Sequence, residues 1–148
     1  MNELLDFYPL ISGITAMMVS QFYKFLYQGF IVKQWHFKYM FYSGGMPSSH
    51  SALVISLASA IGFSAGIDSH AFFITIIFAL IVVYDSAGVR HAVGLQAKSI
   101  NQIVTFWNDN NPEKPIKSTP EVLGHTPIEI VAGGILGIGI AYIFKLAI

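Results

Sequence analysis

Two histidines, His50 and His125, each stand at the head of a long apolar run, in company suited to handling an oxyanion. The first lies in Gly44-Gly45-Met46-Pro47-Ser48-Ser49-His50-Ser51. Small and hydroxyl residues there let backbone approach an anion, and the first N–H groups of a following helix would face it. A histidine adds a proton donor that titrates near neutrality. A serine N-cap beside an interfacial histidine accounts for the same residues. The second lies in Gly124-His125-Thr126-Pro127-Ile128-Glu129. Glu129, four residues after His125, could accept a hydrogen bond from the imidazole and fix its tautomer. Thr126, Pro127 and Glu129 also make a capping box with proline at the first helical position, which is reason enough for the glutamate.

Two histidines can act as nucleophile and leaving-group acid, while Arg and Lys neutralise the oxygens of a transferring phosphoryl group. Arg90 and Lys24 are the candidates. Arg90 alone could complement a helix C-terminus or bind a lipid headgroup. Asp85 and Arg90 are five residues apart, poorly placed on one helix face, so separate roles are expected rather than a surface ion pair. The two distant histidines and two carboxylates lack a local ligand spacing such as HExxH, so neither metal nor other cofactor is expected. His36 and His70 read as interfacial residues and His91 as a neighbour of the site.

These groups need a scaffold, and composition says which kind. The 148 residues are 54% hydrophobic and 11% charged, with mean hydropathy +0.61; soluble domains carry about 25% charge. The expectation is a single all-α domain, an integral membrane helical bundle. Zero net charge and eight Lys and Arg supply no basic surface for nucleic acid. Cysteine is absent, which excludes thiolate catalysis. No Lys or Arg precedes Lys24, so the N-terminus does not read as a secretory signal.

Four apolar segments run from about Tyr8 to Val32, Ser49 to Ile67, Ser69 to Val89, and Thr126 to the end. Each approaches the roughly 17 to 25 residues that span a bilayer as a helix. Six of the eight basic residues fall between segments one and two or between three and four. Positive-inside bias then puts both connections, and with them His50, Asp85, Arg90, His125 and Glu129, at the cytoplasmic face. Lys24 sits about seven residues before the end of its helix, ~10 Å deep at 1.5 Å per residue. It either snorkels or faces a polar cavity.

Between segments three and four, Val93, Ala97, Ile100, Val104 and Trp107 recur at helical spacing, predicting an amphipathic helix over Ala92 to Trp107. It lies in the membrane interface or packs on the protein's own helices. The polar, Pro-broken stretch after it is a lid or a connector. Gly62 with Gly66, and Gly133 with Gly137, are spaced for close helix approach, within the chain or across a homo-oligomer seam.

Gly-Gly-Met-Pro-Ser-Ser-His-Ser-Ala, Tyr-Asp-Ser-Ala-Gly-Val-Arg-His and Gly-His-Thr-Pro-Ile-Glu together resemble the type 2 phosphatidic acid phosphatase superfamily, which includes vanadium haloperoxidases. More narrowly they look like its divergent small bacterial branch, over nearly the whole chain. Pro47-Ser48-Ser49-His50 is similar to that superfamily's Pro-Ser-Gly-His motif, with Ser49 for Gly. By resemblance His50 would protonate the leaving group, His125 would become the phosphohistidine, Glu129 would orient it and Arg90 would hold phosphate. The departures are plain: 34 residues lie between Arg90 and His125, Glu replaces Asp, and no Arg-Pro exists anywhere. Lys24, with Lys38 as alternative, stands in for the first motif's lysine. Gly45, Ser48, Ser49 and Asp85 complete the candidate phosphate-binding set. The resemblance implies a lipid-phosphate phosphatase of the bacterial inner membrane, acting on phosphatidylglycerophosphate, phosphatidic acid or a prenyl diphosphate. A non-catalytic headgroup-binding protein and a phospholipid transporter are the rivals.

Overall fold

The protein, seen here in a computed structural model, is described over residues 2–33, 35, 44–121 and 124–148, with side chains from residue 7 onward. His36 and Lys38 lie outside the described residues. Five helices follow in order: α1 (Asn2–Phe30), α2 (Ser49–Ala65), α3 (His70–Ala87), α4 (Val89–Asn110) and α5 (Pro127–Ala147), with no strand among the described residues. Among the described residues two helical stretches are long and apolar enough to cross a membrane: an 18-residue window within His70–Asn110, with mean hydropathy 2.2, and α5, with 2.0. The all-α membrane architecture stands; α2, at 17 residues, falls short of that length.

Small residues decide the packing. α2 is the central helix, packed on α5, α1 and α3, and buries Ser49, Ser51, Ala52, Ser56, Ala58 and Ala60. α1 meets it along a stripe of period four, Tyr8, Ser12, Ala16, Ser20 and Lys24, each no more than 6% exposed. Residues four apart share a helix face, so the short side chains let the two axes approach closely. Hydroxyls inside this seam are paired: Ser12 Oγ lies 2.7 Å from Ser56 Oγ, Ser20 donates to the Pro47 carbonyl at 2.8 Å, and Tyr8 donates to the Ala141 carbonyl at 2.9 Å.

On the other side of α2 a Cβ on Gly133 would collide with the Ser48 carbonyl oxygen, and one on Gly137 would sit 2.6 Å from that of Ala52. These glycines are thus used within the chain. Gly66 caps α2 at φ +91, outside the helix, while Gly62 faces the Phe72 ring of α3.

α3 and α4 nearly run together, broken only at Gly88, whose φ −97 and ψ −85 are not helical. The break re-phases the chain, and Asp85 and Arg90 meet as an ion pair at 2.7 Å. This corrects the expectation of separate roles: five residues are a poor match only on an uninterrupted helix.

α4 is longer than the sequence pattern suggested, and its apolar residues do not form one line: Ala97 and Val104 are buried while Val93, Ile100 and Trp107 are exposed. The stretch after it is tied down rather than loose. Asn108 accepts from Ile116 N–H at 2.8 Å and donates to its carbonyl at 2.9 Å. Two helical turns earlier, Asn101 does the same to Thr119, at 2.8 Å each way. Residues 111–121 therefore form a strap laid back along α4, leading to His125.

Candidate active site

The site gathers where the N-termini of α2 and α5 meet the α3–α4 bend. The chain passes through a cis Met46–Pro47 bond to Ser48, the N-cap of α2. Ser48 Oγ accepts from Ser51 N–H at 3.3 Å and from its hydroxyl at 3.1 Å. The capping reading thus describes the Ser48 side chain well. Ser48 N–H donates to the Glu129 carbonyl at 2.9 Å, which ties this turn to the first turn of α5. Gly45 has φ +83 and is exposed, with open space where a Cβ would project; only glycine takes that backbone shape freely.

His125 is 2% exposed. Its N–H donates to the Ser86 carbonyl at 3.2 Å, and Gly124 before it lies so close to His91 backbone and the Ser86 carbonyl that any side chain would clash. The α3–α4 bend therefore fixes where the imidazole stands. Its Nδ1 lies 2.9 Å from Glu129 Oε2, the same oxygen that accepts Thr126 N–H at 3.2 Å. Glu129 N–H in turn donates to Thr126 Oγ1 at 3.4 Å. The two sequence readings of Glu129 are one object: a capping carboxylate whose second hydrogen bond holds a histidine. With Nδ1–H given to the carboxylate, the lone pair sits on Nε2, which is buried and has no hydrogen-bond partner among the described residues. Buried polar atoms are seldom left so.

His50 supplies the second imidazole, with ring centroids 6.1 Å apart and planes at 60°. It is exposed, on the second residue of α2. Lys24 is buried, not snorkelling, and its Nζ reaches Ser49 Oγ at 3.5 Å. Burial pushes the His125 imidazole below its ordinary range; the Glu129 hydrogen bond opposes this, and the Lys24 and Arg90 cations add to it. Both cations therefore lie within electrostatic range of the imidazole. Asp85 is engaged with Arg90, whose side chain is 60% exposed.

Ser20, which holds the Pro47 carbonyl, and Ser86, which holds His125 from its carbonyl while its own hydroxyl is buried and unpartnered, were not singled out in the sequence. The four-residue spacing of Ser12, Ala16, Ser20 and Lys24 was the available signal for the first. Beside Lys24 a cavity of about 270 Å³ opens between α1 and the glycine turn, lined by Tyr23, Tyr27, Gln28, Gly44, Gly45 and Met46.

A family model described as "Divergent PAP2 family" matches residues 5–140. A curated protein of Bacillus subtilis (strain 168), named as the uncharacterized membrane protein YuiD, is 36% identical over 149 residues, covering 92% of each chain. No solved structure matches.

Proposed function

Since the chain belongs to the divergent PAP2 family, we propose that it is a lipid-phosphate phosphatase that hydrolyses a phosphomonoester or diphosphate through a phosphohistidine at His125. The observation that carries the proposal is the state of that side chain: Nδ1 held by Glu129, Nε2 buried and unpartnered, a second imidazole beside it. Nε2 attacks phosphorus as the bond to the lipid oxygen breaks, and His50 gives that oxygen its proton. Water then attacks the phosphohistidine, passing a proton back to His50 and returning His125 with its lone pair. Lys24 and Arg90 neutralise the phosphoryl oxygens, and Ser49 positions the Lys24 ammonium. Glu129 keeps the attacking tautomer in place.

In this reading α1, α2, α3 and α5 all span the bilayer, and charge bias in the connections puts the site at the cytoplasmic face of a bacterial inner membrane. Substrates made at that face, such as phosphatidylglycerophosphate or phosphatidic acid, fit it; a prenyl diphosphate fits the same chemistry.

The test is phosphoenzyme trapping with labelled lipid phosphates. Wild-type protein should yield an acid-labile, base-stable adduct, and His125→Ala none. Turnover retained by His125→Ala would sink the assignment. Saturable headgroup binding without phosphate release would move the protein to the non-catalytic class, and flux across liposomes without hydrolysis to the transporters.

A further inference from the structure

A serine or threonine inside a helix has an easy hydrogen-bond partner, the carbonyl four residues back. Ser64, Thr75, Ser99 and Thr105 all use it, at 2.7 to 3.1 Å. Ser86 is 3% exposed near the end of α3, yet its Oγ passes over the Val82 carbonyl and has no partner among the described residues. Other buried hydroxyls of the bundle are paired, Ser12 with Ser56, Ser48 with Ser51 and Ser20 with the Pro47 carbonyl. A buried hydroxyl that declines the carbonyl of its own helix calls for a partner from outside the chain.

Its position says which. Thr75, Ala79 and Ser86 are the buried residues of α3, four and seven apart, so the hydroxyl lies on the face turned into the bundle. At that level the Ser86 carbonyl accepts the N–H of His125 at 3.2 Å. Two residues joined by one backbone bond thus each carry a buried side-chain atom without a partner, Ser86 Oγ and His125 Nε2, and the two do not bond each other. Two cations, Lys24 and Arg90, lie within electrostatic range of the same imidazole. The carboxylates here are already engaged, Asp85 by Arg90 and Glu129 by Thr126 N–H and Nδ1. Charge therefore favours an anion, and a hydroxyl is a donor that an anion can use. A water shared with His91 Nδ1, also buried and unpartnered at this bend, is the competing occupant and would gain less from either cation.

Resting on the phosphatase reading of this site, we propose that the Ser86 hydroxyl donates to a non-bridging oxygen of the phosphoryl group as that group passes to and from His125 Nε2. One residue then fixes both reactants: its carbonyl holds the backbone of the nucleophile and its hydroxyl holds the group transferred. The side chain serves the bound anion rather than the fold, so stability is given up at this position and regained on binding.

Stability and affinity should therefore respond to Ser86→Ala with opposite signs. Full-length protein in detergent is followed through its thermal transition at rising inorganic phosphate, which raises the melting temperature of any form that binds it. Without phosphate, Ser86→Ala should melt at or above the wild-type temperature, because a buried unpaired hydroxyl has been removed. It should need about tenfold more phosphate, or beyond, for the same rise, as loss of a hydrogen bond to a charged group implies. Thr75→Val, on the same face but bonded to Ala71, should keep the wild-type phosphate dependence. A lower melting temperature for Ser86→Ala overturns the proposal, by making the hydroxyl part of a structural network with His91. A phosphate dependence equal to wild type overturns it too, as does a wild-type protein that phosphate leaves unshifted. The phosphatase reading fails separately: loss of phosphate affinity in Ser86→Ala, with no phosphate released from lipid phosphates by wild type, keeps the Ser86 contact and removes the hydrolysis.

Discussion

The α2–α5 crossing and the α4 arm with its strap solve the same problem by opposite means. Each must hold irregular backbone against a helix. At the crossing this is done by removing side chains: Gly133 and Gly137 admit the carbonyls of Ser48 and Ala52, and the polar contacts are buried hydroxyls and one backbone bond between the turn and α5. Along α4 it is done by adding side chains, with Asn101 and Asn108 clamping exposed backbone in both directions. The first solution tolerates no added atom, because neighbouring backbone cannot step aside. The second leaves room around every group. The candidate chemistry sits on the first kind of construction, where His50 and His125 inherit the fixed positions of two helix starts.

Glycines on one helix test this contrast most severely. Gly133→Ala should lower the melting temperature by more than about 5 °C, since overpacking of a closed contact typically costs about 1–3 kcal/mol. Gly139, on the same helix, has nothing within 4 Å of a would-be Cβ. Gly139→Ala should be neutral or stabilising, by up to about 1 kcal/mol of helix propensity. Equal responses at the two positions would refute close approach as the organising feature of the crossing.

Glu129→Gln separates the two roles of one carboxylate. The amide oxygen can still accept Thr126 N–H, so the melting temperature should change little. The same oxygen meets Nδ1, so it accepts that N–H as well, but without the negative charge that strengthens the bond and raises the basicity of the attacking nitrogen. The turnover number should fall by roughly 10² or more. A change confined to stability would leave Glu129 as a cap alone.

Legibility in the sequence follows the same division. The helix starts were readable because Ser48 and Thr126 are capping residues at the heads of apolar runs, and the depth of Lys24 announced a buried polar environment. The Asp85–Arg90 pair was not readable, because a single glycine in a helical pattern does not reveal that it re-phases the chain. Neither was the strap, since an asparagine that clamps a distant backbone looks like any asparagine in a polar stretch. Ser12, Ser20 and Ser86 passed as incidental polar residues in apolar spans; their partners are 44, 27 and 39 positions away.

Titration gives a subtler comparison, because the crossing buries an ionisable group and the arm exposes its own. His125 has its pKa lowered by burial, so the neutral imidazole persists below pH 6.5, its ordinary midpoint. The acid limb of kcat/KM that belongs to the attacking imidazole should therefore lie below pH 6.5. Stability has the same sign: the unfolded chain binds the proton more readily, so the His125 contribution is present above pH 6.5 and is lost as pH falls toward the folded pKa. His125→Gln should flatten that part of the melting-temperature profile between about pH 7 and pH 5. An unchanged slope would show that its burial has no energetic consequence.

The smallest effect is expected on the arm. Asn108→Ala removes two exposed hydrogen bonds to Ile116, each with a net worth of about 0.5–1.5 kcal/mol before exposure is discounted. Water replaces both, so the global melting temperature should move by no more than about 2 °C. The local effect should be larger, because Asn101 and the Trp107 indole, which donates to the Lys114 carbonyl at 3.3 Å, would then hold the strap without it, and proteolytic nicking near Lys114 and Lys117 should speed up severalfold. Asn101→Ala should act in the same direction and more strongly, since Asn101 also donates to Glu121 at 2.7 Å, close to the chain that enters the site. A severalfold loss of phosphate release in Asn101→Ala, with normal release in Asn108→Ala, would mean that the strap bears on His125 through its last residues. Equal losses in both would mean that the whole arm positions the site, and the line between crossing and arm would have to be redrawn.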